Sequence, residues 1–137
     1  MNTIKDSKFF IGGNAIFTVS NGLKHYTFKV RQPKKDSPYF VNMLTGPQNT
    51  SDYTYMGIFN PTWNKVILTK KSKYTNESQP VNVFNWAMKV VKFDQKLPEG
   101  YSIQHEGKCC RCGRTLTTPE SIANGIGPEC AKKGWRQ

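Results

Sequence analysis

No cysteine occurs in the first 108 residues, and the four in the chain fall between positions 109 and 130. Long apolar runs are missing as well: nothing approaches the roughly 18 consecutive apolar residues of a membrane span, and residues 1–8 lack the apolar stretch of a secretory signal. The expectation is therefore a cytoplasmic chain with no membrane partner. Histidine is scarce, with His25 in a strand pattern and His105 beside the cysteines, so no nucleophile–base pair suggests itself. The nine acidic residues are dispersed, which leaves hydrolysis by paired carboxylates unsupported. Phosphate-cradling glycine loops are also absent, and Ile11-Gly12-Gly13-Asn14 reads as a turn.

Base is abundant. Twenty Lys and Arg give a formal charge of +11 and a pI near 9.6, so the surface attracts polyanions, nucleic acid first among them. At 137 residues and a mean hydropathy of −0.62, the chain has the size of one small domain, or of one with an appendage.

Residues 1–104 read as a β-rich α+β domain and residues 105–137 as a zinc-binding module. Residues 15–20 and 25–31 flank Asn21-Gly22, a pair that accepts positive φ and favours a hairpin. In the second of these strands Tyr26, Phe28 and Val30 share a core face, opposite His25, Thr27, Lys29 and Arg31. Further strands are expected over 39–45, 53–59 and 65–71, and a short last one over 101–104. The fold expected is a twisted antiparallel sheet of about five strands in a meander. The run Tyr53, Tyr55 and Phe59 reads as a core stripe. A helix begins after Ser78 with Pro80 in its first turn, and Val83, Phe84, Ala87, Met88 and Val91 form its buried stripe.

The spacing His105-x3-Cys109-x2-Cys112-x17-Cys130 offers four donors suited to one tetrahedral, structural Zn2+. Two cysteines separated by two residues curl into a knuckle whose N–H groups point at the thiolates, and Gly113 gives the turn its freedom. The fourth ligand is open: His105 is favoured, with Cys110, Glu106 and Glu129 as alternatives, and Cys110 reads as a spare thiol. Thr117-Thr118-Pro119-Glu120 is a helix start that should run to Asn124-Gly125, and Gly127-Pro128 is a second start that places Cys130 in a first turn, where the helix dipole favours a thiolate. A zinc deaminase does not fit, since Glu106 directly follows His105 and no Pro precedes the cysteines.

Residues 107–131, with Cys109-x2-Cys112-Gly-Arg-x-Leu-Thr-x-Pro-Glu-Ser-Ile followed by Gly-Ile-Gly-Pro and Cys130, resemble an uncharacterised family of small phage and prophage proteins. The resemblance implies that Cys109, Cys112 and Cys130 are metal ligands, that Arg114, Ser121 and residues 125–128 scaffold them, and that the chain has a phage origin in a bacterial cytoplasm. It implies no activity.

The function expected is non-catalytic nucleic-acid binding. Lys108, Arg111, Arg114, Lys132, Lys133 and Arg136 would meet phosphates, Trp135 would stack on a base or cap the module, and Lys29 and Arg31 would add to the surface. The alternative is a phage effector that binds and inhibits a host protein such as a nuclease, polymerase or defence factor.

Overall fold

The structure, a computed structural model, describes residues 2–48 and 51–134. Among these, six strands form one antiparallel sheet: β1 (Asn14–Ser20), β2 (His25–Arg31), β3 (Tyr39–Leu44), β4 (Tyr53–Asn60), β5 (Lys65–Ile67) and β6 (Ser102–His105), in the order β5-β4-β3-β2-β1-β6. The first five make the expected meander. The short last strand is a full member, laid antiparallel along β1. Strand β6 also carries the chain across the expected division after Gln104. The fifth strand stops at Ile67, well short of 71, and Thr69 and Ser72 close a turn instead.

Helix α1 (Gln79–Lys92) starts at Ser78 with proline in its first turn, as the sequence dictates. Its buried residues are Val81, Phe84, Ala87, Met88, Val90 and Val91. Phe84 is the hub: its ring centroid lies 5.3 Å from Phe28, 6.0 Å from Phe59 and 6.1 Å from Phe17. A 3-10 turn, Ser7–Ile11, adds the fully buried Phe9 and Phe10 to the same core. No periodic signal marked that turn, because five residues are too few to show a period.

The two faces of the sheet differ. Ala15, Phe17, Phe28, Val30, Val41 and Met43 point at α1 and are buried. Lys29, Phe40, Asn42, Leu44, Tyr53, Tyr55 and Ile58 line the opposite face and are each only partly buried. Tyr53 and Tyr55 are there because of a bulge. Val41 pairs with Gly57 while Asn42 pairs with Tyr55, so Met56 is the extra residue in β4. One inserted residue reverses the alternation, and the expected stripe is split: Phe59 stays in the core, whereas Tyr53 and Tyr55 emerge beside Leu44 and Asn42.

This two-sidedness predicts unequal mutational costs. Phe84→Ala should remove about 3–5 kcal/mol of stability, the usual cost of a large aromatic cavity, whereas Phe40→Ala on the half-exposed face should cost clearly less. Urea unfolding of both variants checks the difference.

Candidate metal centre and basic face

After β6 the chain turns through Gly107 and makes a narrow loop in which Lys108 bridges Thr115 and Cys109 N–H donates to the Arg114 carbonyl at 2.8 Å. Within it lies the expected knuckle, closed by Gly113 N–H on the Cys109 carbonyl at 2.9 Å, with Gly113 at a φ of 80°. Two short helices follow, α2 (Pro119–Asn124) and α3 (Pro128–Lys133). The first is capped by the Thr118 hydroxyl, which accepts from Ser121 N–H at 3.2 Å, and ends on Gly125 in the left-handed region, a common helix stop. The second begins at Gly127 and places Cys130 in its first turn.

These turns bring three thiols together. The sulfurs of Cys109, Cys112 and Cys130 all lie within 4.8 Å of one another. Ligands at the usual zinc–sulfur distance of about 2.3 Å stand about 3.8 Å apart around a tetrahedron, so the group is near the size such an ion requires. Three backbone N–H groups already converge on Cys109 Sγ, from Gly127 at 3.3 Å, Arg111 at 3.4 Å and Cys112 at 3.5 Å. Burial pushes that thiol up, but the donors from Cys112, Gly127 and Arg111 outweigh it and bring it down to about 7. Cys130 goes the other way, to about 11, through burial and hydrogen bonds shared with Cys112 and Cys109. The donor set therefore fits a soft or borderline cation that replaces shared protons.

His105 is not brought to the sulfurs. Its ring is buried on the core side of β6, at 4 % exposure, tilted against Phe9. Both nitrogens are committed: Nδ1 accepts from Gly107 N–H at 2.9 Å, so Nε2 carries the proton and donates to the Ile122 carbonyl at 2.6 Å. Instead of a ligand, the histidine is a pin between β6 and α2. Cys110 also faces away, buried against Gly12, where burial first and the neighbouring Cys109 next hold its thiol far above its usual range.

The module docks through the backbone of that same cysteine. Asn14 N–H donates to the Cys110 carbonyl at 2.7 Å, and Asn14 Nδ2 to the Arg111 carbonyl at 2.7 Å. A Cβ on Gly12 would lie 2.5 Å from Cys110 Sγ and 2.6 Å from its carbonyl oxygen, so only glycine permits the approach.

The basic residues divide into groups. Lys29 is drawn below its usual value by burial and then by the positive charges of Arg31, on the same face of β2, and of Lys108 in the cysteine loop. Lys29 also lies 5.4 Å over the Tyr53 ring, and Phe40 and Tyr55 pack together at 6.4 Å. Tyr53 and Tyr55 were missed as surface residues because they were read with an unbroken period of two; Gly57, a glycine inside the strand pattern next to Met56, is the signal that could have marked the bulge. Arg111 is half-buried, with its Nε enclosed and unpartnered among the described residues, and its guanidinium favours the thiolate form of Cys130. Arg114, Lys132 and Lys133 are exposed, Lys132 facing Glu129 at 4.0 Å. Trp135 and Arg136 lie outside the described residues.

Residues 102–133, from the start of β6 to the end of α3, match a family of unknown function (DUF6011). No curated protein and no solved structure matches the chain. The match agrees with the resemblance to an uncharacterised family and coincides with the segment that carries the three thiols. No helix among the described residues is long and apolar enough to cross a membrane.

Two outcomes follow from this geometry. Imidazole NMR shifts should report the Nε2–H tautomer of His105 and a titration below the ordinary value of about 6.5, since burial, only partly offset by the Ile122 bond, disfavours the cation. The neutral ring's stabilisation is then complete above the unfolded value and lost as pH falls through the lower folded one; a ring titrating at or above 6.5 refutes the pin. Cys112→Ser should lower bound metal and loosen the module with little loss from the sheet core, because Cys112 is exposed, as metal analysis and amide hydrogen exchange would show.

Proposed function

We propose that the protein binds single-stranded nucleic acid, tolerantly of sequence, through the open face of its sheet, and that one structural Zn2+ on Cys109, Cys112 and Cys130 holds the module that completes this surface. The observation that carries the reading is Lys29 lying 5.4 Å over the half-exposed Tyr53 ring, on the sheet face that also carries Arg31, Phe40 and Tyr55, with the charge of Lys108 near enough to act on it. Cations track phosphates, and flat rings on a sheet accept bases by stacking, without reading their edges. The formal charge of +11 supplies long-range attraction to the same partner. Lys108 belongs to the cysteine loop, so metal binding fixes one of the three cations.

In this reading the chain is a non-catalytic, phage-type protein working in a bacterial cytoplasm. The phage origin rests on the motif Cys-Gly-Arg-x-Leu-Thr and Gly-Ile-Gly-Pro-x-Cys, and the choice of zinc rests on three cysteine sulfurs within 4.8 Å of one another.

The test joins metal analysis to a salt titration with labelled single-stranded oligonucleotides. One zinc per chain is expected, together with an affinity that falls with salt at a log–log slope of about −2 or steeper, from three or more phosphate contacts. Lys29→Ala should flatten that slope by roughly one contact for every sequence alike, and Tyr55→Ala should weaken binding by about 1–3 kcal/mol, the worth of one stacked base. Binding that is absent or flat in salt would overturn the proposal and favour a host protein as partner.

A further inference from the structure

We infer that the fourth position of the metal centre is left to a small donor from outside the chain, and that glycine at position 127 is what leaves it open. The inference rests on the reading of Cys109, Cys112 and Cys130 as a metal site.

A zinc-like ion takes four donors, all from the chain where the site is closed and three where one position stays open, and among the described residues three sulfurs are grouped. The nearby alternatives do not join them. Both His105 nitrogens hold backbone partners, Cys110 is sealed against Gly12, and neither Glu106 nor Glu129, both exposed, falls in the group with the sulfurs. Position 127 is where a fourth ligand would come from, because it precedes Cys130 by the interval that separates Cys109 from Cys112. Its backbone is ready for one. Gly127 N–H reaches Cys109 Sγ at 3.3 Å, its φ of −71° and ψ of 157° suit any L-residue, and a Cβ there would sit 4.0 Å from Cys109 Sγ and 3.9 Å from Leu116, in ordinary contact. Neither strain nor crowding requires glycine at this point. What the glycine withholds is a side chain aimed at the three sulfurs. Cys112 lies on the exposed side of the group, so solvent reaches it. Water is the default fourth donor, and imidazole or a small thiol, better matched to a borderline ion, should displace it.

Cobalt(II) in place of zinc reads this directly, since its visible bands report the donor set and its sulfur charge-transfer band grows with each thiolate. The wild-type protein should show the intensity of three thiolates and shift its visible bands as imidazole or 2-mercaptoethanol is added. In Gly127→Cys the charge-transfer band should rise by about one third, from three sulfurs to four, and the response to added donors should vanish. A wild-type spectrum that ignores both additives, or that already shows four thiolates, would overturn the inference, because a donor of the chain then closes the site. The wild-type titration decides the matter even if the variant folds poorly. Failure of the metal reading looks different: neither protein would then give a cobalt–thiolate spectrum at all.

Discussion

The contact on which the C-terminal quarter depends is the approach of the Cys110 backbone to the start of β1. Asn14 holds the carbonyls of Cys110 and Arg111, and this is possible only because Gly12 has no side chain to stand between them. Once residue 110 is fixed, its flanking residues are fixed in opposite senses. Cys110 is turned against Gly12, while Cys109 and Cys112 are turned toward the first turn of α3, Cys109 buried and Cys112 exposed. Gly125 completes the clamp, its carbonyl accepting from Cys110 N–H at 3.0 Å while the residue lies against Phe9. The sheet thus orders the cysteine loop before any cation arrives, which lowers the entropic cost of binding one.

The same sheet separates two tasks by face. One side is filled by Phe17, Phe28, Phe59 and Phe84, with Phe9 and Phe10 at one end, and supplies the apolar burial a chain this polar needs. The other side is only partly packed, so cationic and aromatic residues are tolerated there, although burial and the neighbouring cations disfavour the charge on Lys29. The bulge at Met56 decides which tyrosines fall on which side, and it converts what would have been core into surface.

Much of this was legible in the sequence. The hairpin at Asn21-Gly22, the helix after Ser78 and the paired helix starts at Thr118 and Gly127 each follow from local chemistry that overrides little else, and they stand where the residues put them. The convergence of Cys109, Cys112 and Cys130 was legible for the same reason, since knuckle and helix start are local motifs. His105 was not, because its spacing from Cys109 describes reach along the chain and says nothing of Ile122, whose carbonyl claims the ring from seventeen residues away. Tyr53 and Tyr55 were misread because a bulge shifts a period of two without altering composition. Phe9 and Phe10 were overlooked because a single 3-10 turn has no pattern to find.

The ends of the sheet carry a consequence of their own. Strand β6 is four residues long, and its outer edge is already taken: Ile4 N–H donates to the Ile103 carbonyl at 3.0 Å, Thr3 bridges Gln104, and the Asn2 carbonyl accepts from His105 N–H at 2.9 Å. At the far side β5 offers three residues, opened by an exposed lysine. A sheet finished in this way gives another strand almost nothing to pair with. Copies of the chain brought close together would therefore stay separate molecules, since the described strands leave almost no free backbone edge for a ladder between them.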